Sequence, residues 1–203
     1  MYRNGEVYDT IAKVIVDIYI DYDLRNFPID EGEVCRKMGV ALVPYSIYNE
    51  EERSLFLKRS KHGFFDGVFS GTPTIYFNDA LEPEETQRFT IFHEIKHFVF
   101  EDVDEHDDDL ADYFARYFMC PVPYFLLKDI DTQDEIISCC GLSKTAAANA
   151  SSNIINRKEK YGYHLFDYEV KLIEHLEPVL LEVYPNIKEE TAYEGVSKDK
   201  ENA

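Results

Sequence analysis

At Asn78 the spacing of apolar residues changes, and that change limits what the chain can fold into. Before it, Phe64-Phe-Asp-Gly-Val-Phe69 and Pro73-Thr-Ile-Tyr-Phe77 flank a Ser-Gly-Thr turn and read as two strands of a meander. After it, Phe89, Phe92, Ile95 and Val99 recur every three or four residues, one stripe of a helix. A second stripe, Leu110, Phe114, Tyr117 and Phe118, stops before Pro121. Side chains alternate across a strand but stack along one face of a helix, so neither pattern serves the other's role. The expected class is therefore α+β, a small sheet packed on two central helices. Pro73, at the head of the second strand, predicts an edge position, where a missing N–H does no harm.

The flanks read as helical. Val7, Ile11, Val14, Ile15 and Ile18 mark an amphipathic helix over 6–20. Asp30 caps a short helix to about Met38 that Gly39 closes, and Val40 to Pro44 reads as a short strand. Residues 47–61 are charged and fit either helix or loop. Asn78 or Asp79 is the expected cap of the first central helix, with Pro83, Glu84 and Glu85 in its first turn. Beyond Pro121, Thr132 and Glu135 form a capping box for a helix to about Cys140, and Ser143 caps another to about Lys158. The last helix is expected over about 166–183. The spans suggest a core of 1–125, a helical extension of 126–185 and a polar tail of 186–203. Within the extension, 133–158 is similar to a helix-turn-helix, although Asn149, Asn153, Arg157 and Lys158 are a meagre set for reading DNA. It reads as a supporting or docking subdomain.

Charge excludes some partners. Against 21 Lys and Arg stand 40 Asp and Glu, a formal net charge of −19, which argues against direct nucleic-acid binding or an anionic membrane surface. No apolar run reaches the length of a membrane span, and no secretory leader is visible. The four cysteines form no framework and read as free thiols in a reducing, cytoplasmic setting.

The informative stretch is His93-Glu94-Ile95-Lys96-His97 on the first central helix. Residues four apart stand one turn above each other, so both imidazoles leave the same face and can share one ion. Glu94 leaves close by, placed to serve the attacking water rather than the metal. Two zinc ligands plus a general base are the physical content of HExxH. Zinc (Zn2+) lowers the pKa of water to about 7, so that hydroxide is available to attack a carbonyl carbon near neutrality.

A catalytic zinc also needs a third protein ligand. On the second helix Asp108, Ala111, Asp112 and Ala115 share a face opposite the Leu110–Phe114–Tyr117 side. The alanines allow close approach, and Asp108 or Asp112 can then reach the ion. Their spacing lets one bind metal while the other accepts the second N–H of a ligating histidine.

Glu85 to His97, followed by Asp108 to Pro121, resembles the ImmA/IrrE family of metallo-endopeptidases. The similarity extends to the N-terminal helix, the strand–turn–strand before Asn78 and Gly141 to Ala147. The resemblance implies a zincin-like core, with His93 and His97 as zinc ligands and Glu94 as general base. It puts Asp108 at the third-ligand position, one methylene shorter than the family's Glu, and Asp112 where Asn or Asp is usual. Asp109, Asp107 or His106 are neighbouring substitutes for that ligand. It also implies a substrate class, a helix-turn-helix transcriptional repressor of a phage, mobile element or stress response.

Several weaker features complete the reading. Thr74, Ile75, Tyr76 and Phe77, taken as an edge strand, could pair with an extended substrate. The acidic excess would steer a basic, DNA-binding repressor to the site. Tyr161 and Tyr163 are candidate oxyanion donors or ordinary core tyrosines. Arg88 is expected to pair with acids of the next helix, and Arg116 to hold Asp112. The rival reading is a non-proteolytic acidic regulator that binds a repressor or toxin, its metal site vestigial or structural.

Overall fold

In a computed structural model, residues 4–67, 71–101 and 108–184 are described. Two helices open the chain, α1 (Asn4–Asp21) and α2 (Glu31–Met38). The Asp30 side chain accepts from the Glu33 N–H, and Gly39 ends α2 at φ +73, a left-handed value that costs glycine little. Strand β1 (Ala41–Pro44) leads through a single 3-10 turn into α3 (Glu50–Arg59), so the charged segment is a helix. Asn49 and Glu52 cap it reciprocally. Then come β2 (Gly63–Asp66) and β3 (Thr74–Phe77).

The three strands lie in the order β1-β3-β2. β3 pairs parallel with β1, Ala41 opposite Thr74, and antiparallel with β2, Gly63 opposite Phe77. The expected edge position of β3 is thereby overturned, since Thr74–Phe77 has a partner on each side. Pro73 proves compatible with this because it precedes the ladder and contributes its carbonyl, which accepts from the Ala41 N–H at 2.8 Å. Alternation sends Phe64 to one face, stacked on Tyr76 at 5.1 Å, and Phe65 to the other, against Phe98 at 5.7 Å.

The central pair is α4 (Glu84–Val99) and α5 (Asp108–Met119). Pro83, rather than Asn78 or Asp79, stands at the α4 cap; Asn78 instead closes a turn onto the Ala80 N–H. Ala111 and Ala115 are fully buried, which brings α5 close to α4. Phe118, on the same face, packs on Phe92 of α4 at 5.0 Å, and its carbonyl accepts from the Tyr19 hydroxyl of α1 at 2.6 Å.

A helix that apolar spacing did not announce, α6 (Val122–Leu127), follows at once. Its prolines, 121 and 123, fall at the cap and in the first turn, where no intrahelical N–H is needed. The capping box of Thr132 and Glu135 opens α7 (Gln133–Cys140), and Ser143 caps α8 (Lys144–Tyr161). The expected last helix is two, α9 (Asp167–Leu176) and α10 (Val179–Val183), divided at Pro178.

One continuous core of buried residues runs from Ile11 on α1 to Leu172 on α9; a smaller cluster joins Leu127, Leu165 and Ile173. The cysteines are free, with Cys35, Cys120 and Cys140 buried. Among the described residues no helix is long and apolar enough to cross a membrane. The architecture is α+β, a three-stranded mixed sheet with helices around and after it.

Candidate metal centre and peptidase cleft

A cleft of about 660 Å³ lies where the outer edge of β2, the middle of α4 and the first turn of α5 converge. His93, Glu94 and His97 line it from α4, and Asp108 and Asp112 from α5. Helical spacing accounts for the first group: the two imidazole rings stand 5.4 Å apart, one turn between them. Glu94 and His97 are each 8% exposed, so the apolar stripe of α4 carries its polar groups into a sheltered wall.

His93 is oriented by α5. Its Nδ1 lies 2.9 Å from Asp112 Oδ1. A carboxylate only accepts, so Nδ1 bears the proton and Nε2 presents its lone pair to the cleft. Burial works against a charge on His93, but the hydrogen bond to Asp112, with the charges of Glu94 and Asp108, outweighs it and raises the pKa. Asp112 therefore takes the second N–H of His93, one of the two roles that the helical spacing allowed it.

Glu94 is held from the sheet. Its Oε2 accepts from the backbone N–H of Phe65 at 2.8 Å. Burial raises the pKa of this carboxyl, and His93, His97 and the Phe65 N–H work the other way.

Among the described residues, no three His, Cys, Asp or Glu side chains are gathered as a closed metal site. The donors nevertheless suit zinc. His93 Nε2 and Asp108 Oδ1 are 3.9 Å apart, against about 3.3 Å for two ligands on one tetrahedral ion. The Asp108 side chain is 75% exposed, so nothing packs against the small movement required. Asp109 does not line the cleft, and the other substitutes, His106 and Asp107, lie outside the described residues.

Other expected contacts fall elsewhere. Thr74, Ile75, Tyr76 and Phe77 form the middle strand and present no free edge; the edge on the cleft is Gly63-Phe64-Phe65. Sequence reading placed a strand at Phe64 but not the edge there, because strand order depends on β1 pairing in parallel with β3, which periodicity does not encode. Tyr163 donates to Asp129 at 2.8 Å and Tyr161 packs on Phe166, so neither serves the cleft. Arg88 turns from α5 to α2, pairing with Glu31 at 3.0 Å and donating to the carbonyls of Ile29, Cys140 and Gly141.

Neither a curated protein nor a solved structure matches the chain. A family model does: that of the IrrE N-terminal-like domain, Peptidase_M78, matches residues 35–147, from α2 through the cleft to the start of α8. This span is more than half of the 203 residues and contains every group gathered in the cleft, so the chain belongs to the IrrE N-terminal-like family of metallopeptidase-like domains.

Proposed function

We propose that the chain is a zinc-dependent endopeptidase acting in the cytoplasm on a protein substrate, a basic helix-turn-helix repressor of a phage, mobile element or stress response. One observation carries the chemistry. His93 and His97 open into the same cleft as Glu94, and the edge strand β2 borders it.

His93 and His97 would hold the ion, with Asp108 as third ligand and Asp112 keeping the His93 ring in its tautomer. Zinc supplies a Lewis acid and makes water acidic enough to ionise near neutrality. Glu94 takes a proton from the attacking water and returns it to the departing amine. Its raised pKa suits a group that must both gain and lose a proton. An extended stretch of substrate would lie alongside β2, whose Phe65 N–H is held by Glu94, and bring the scissile carbonyl over the histidines. The net charge of −19 supports a basic partner, drawn toward the chain over the range of the Debye length.

The rival is a regulator that binds a repressor or toxin without cutting it, and the short, exposed Asp108 at the third-ligand position favours it. One experiment separates the two. The zinc-loaded chain is incubated with the repressor encoded beside it, in parallel with Glu94→Gln. Two fragments from the wild type and none from the variant support the peptidase. Intact repressor bound stoichiometrically by both supports the regulator.

A further inference from the structure

The cleft carries charges of both signs. Asp108 and Asp112 line it from α5, and Arg59, the last residue of α3, lines it as well. Its guanidinium carbon lies 3.8 Å from the centre of the Phe64 ring, on the edge strand. The side chain is exposed, and no acid pairs with it among the described residues. Arg25, Arg88 and Arg157 are paired with Asp23, Glu31 and Glu169. Arg36, Arg53 and Arg116, like Arg59, pair with no acid among the described residues, so its place on the cleft is what sets Arg59 apart. The C-terminal end of α3 favours a cation in that turn, yet the dipole would leave the side chain free to point anywhere. The stack on Phe64 fixes it over the cleft and lowers the entropy lost when its fork binds a partner.

We propose that Arg59 is a specificity-determining residue that selects a substrate carrying a carboxylate, an Asp or Glu side chain, a short distance from the scissile bond. The inference rests on the reading of the cleft as a peptidase site. A strand laid along Gly63-Phe64-Phe65 passes next to the residue that holds the guanidinium, because Phe64 is both the stacking ring and part of that edge. A planar fork matches a carboxylate with two parallel hydrogen bonds. The surrounding field is negative, so a substrate must be basic enough to approach and still place one acid in register. Two opposed requirements give narrower selection than either alone.

The test digests a proteome-derived peptide library with the zinc-loaded full chain and maps residues around each cut. Wild type should show Asp or Glu enriched about tenfold at one position, the size expected for a charge-assisted pair at a partly exposed site. Arg59→Gln should abolish that enrichment by lowering kcat/KM for acid-bearing peptides about tenfold more than for neutral ones, and Arg59→Glu should favour Lys or Arg there. Arg59→Lys should retain part of it. A uniform fall in kcat/KM over all peptides, or an unchanged profile, would overturn the proposal. The same library is passed over immobilised, zinc-loaded Glu94→Gln protein, with and without Arg59→Gln. Acid enrichment that Arg59→Gln removes from the captured peptides sustains the selectivity even if no cleavage occurs, in which case only the peptidase reading fails. No acid preference in either arm refutes it.

Discussion

The backbone N–H of Phe65 donates to the Glu94 carboxylate at 2.8 Å, and this bond joins the edge strand to the helix that carries both histidines. Glu94 is 8% exposed, and a buried carboxyl is costly unless its oxygens are satisfied. The sheet therefore supports the proposed base directly. A peptide laid against β2 would sit beside the same amide, so substrate seating and the position of Glu94 are linked through one residue.

That linkage depends on how closely β2 approaches α4, and Gly63 sets the distance. A Cβ there would lie 2.8 Å from Thr90 Cγ2 and 2.8 Å from the Tyr76 carbonyl. The carbonyl is backbone and cannot swing aside. Gly63→Ala should cost about 1–3 kcal/mol in denaturant unfolding, the usual range for overpacking. It should also move the Phe65 amide resonance in a 15N spectrum. Adding Thr90→Ala should recover only part of the loss, because the clash with Tyr76 persists. An unchanged Phe65 resonance would show that Gly63 does not set the spacing.

Asp112 should matter to the metal without binding it. It fixes the proton of His93 on Nδ1. Removing such a partner usually lowers metal affinity about 10–100-fold. Asp112→Ala should fall in that range when zinc is titrated against a chromophoric chelator, with Asp112→Asn milder because an amide oxygen still accepts. Asp108→Ala should lose more, as a ligand would. Equal losses for the two alanine variants would contradict the division of roles.

Gly141 is held by two constraints at once. It sits at φ +62, and a Cβ would meet the Arg88 guanidinium that donates to the Gly141 carbonyl at 3.1 Å. A left-handed conformation costs a non-glycine residue about 1–2 kcal/mol. Displacing Arg88 adds the cost of carbonyls left without a donor. Gly141→Ala should destabilise by at least about 2 kcal/mol, read as a lower urea midpoint at constant m. Arg88→Lys should lose a similar amount, since one ammonium cannot reach the carbonyls of Ile29 and Cys140 as well as Glu31.

Elements whose signals are local were legible in the sequence. The stripes of α4 and α5, the caps at Asp30, Thr132 and Ser143, and the αL glycines 39 and 141 all announce themselves within a few residues. So did the convergence of His93, Glu94, His97, Asp108 and Asp112 on one cleft, because helical periodicity fixes faces. Pairing over distance was not legible. Nothing in Pro73-Thr-Ile-Tyr-Phe77 says that Ala41–Pro44 will lie beside it, and that one parallel pairing moved the edge from β3 to β2. The partner of Arg88 was missed for the same reason, as Glu31 lies 57 residues away.

Asp129 offers a test of electrostatics remote from any metal. The turn after α6 holds it at φ +52, where Lys158, Tyr163 and Tyr184 all donate to its carboxylate. The hydrogen bond from Lys158, then that from Tyr163, lowers its pKa below the ordinary value. Asparagine tolerates positive φ about as well as aspartate, so Asp129→Asn removes charge with little backbone effect. The side chain is 56% exposed, so the loss at neutral pH should be about 0.5–1 kcal/mol, as for a surface pair. The sign follows from linkage. A carboxyl with a depressed folded pKa contributes fully above its unfolded pKa, near 4, and loses that contribution as pH falls through the folded value. The difference between wild type and Asp129→Asn should therefore be constant from pH 7 to about 5 and vanish in stronger acid. Urea unfolding of both proteins across that range measures it, and a difference that grows on acidification would refute the assignment.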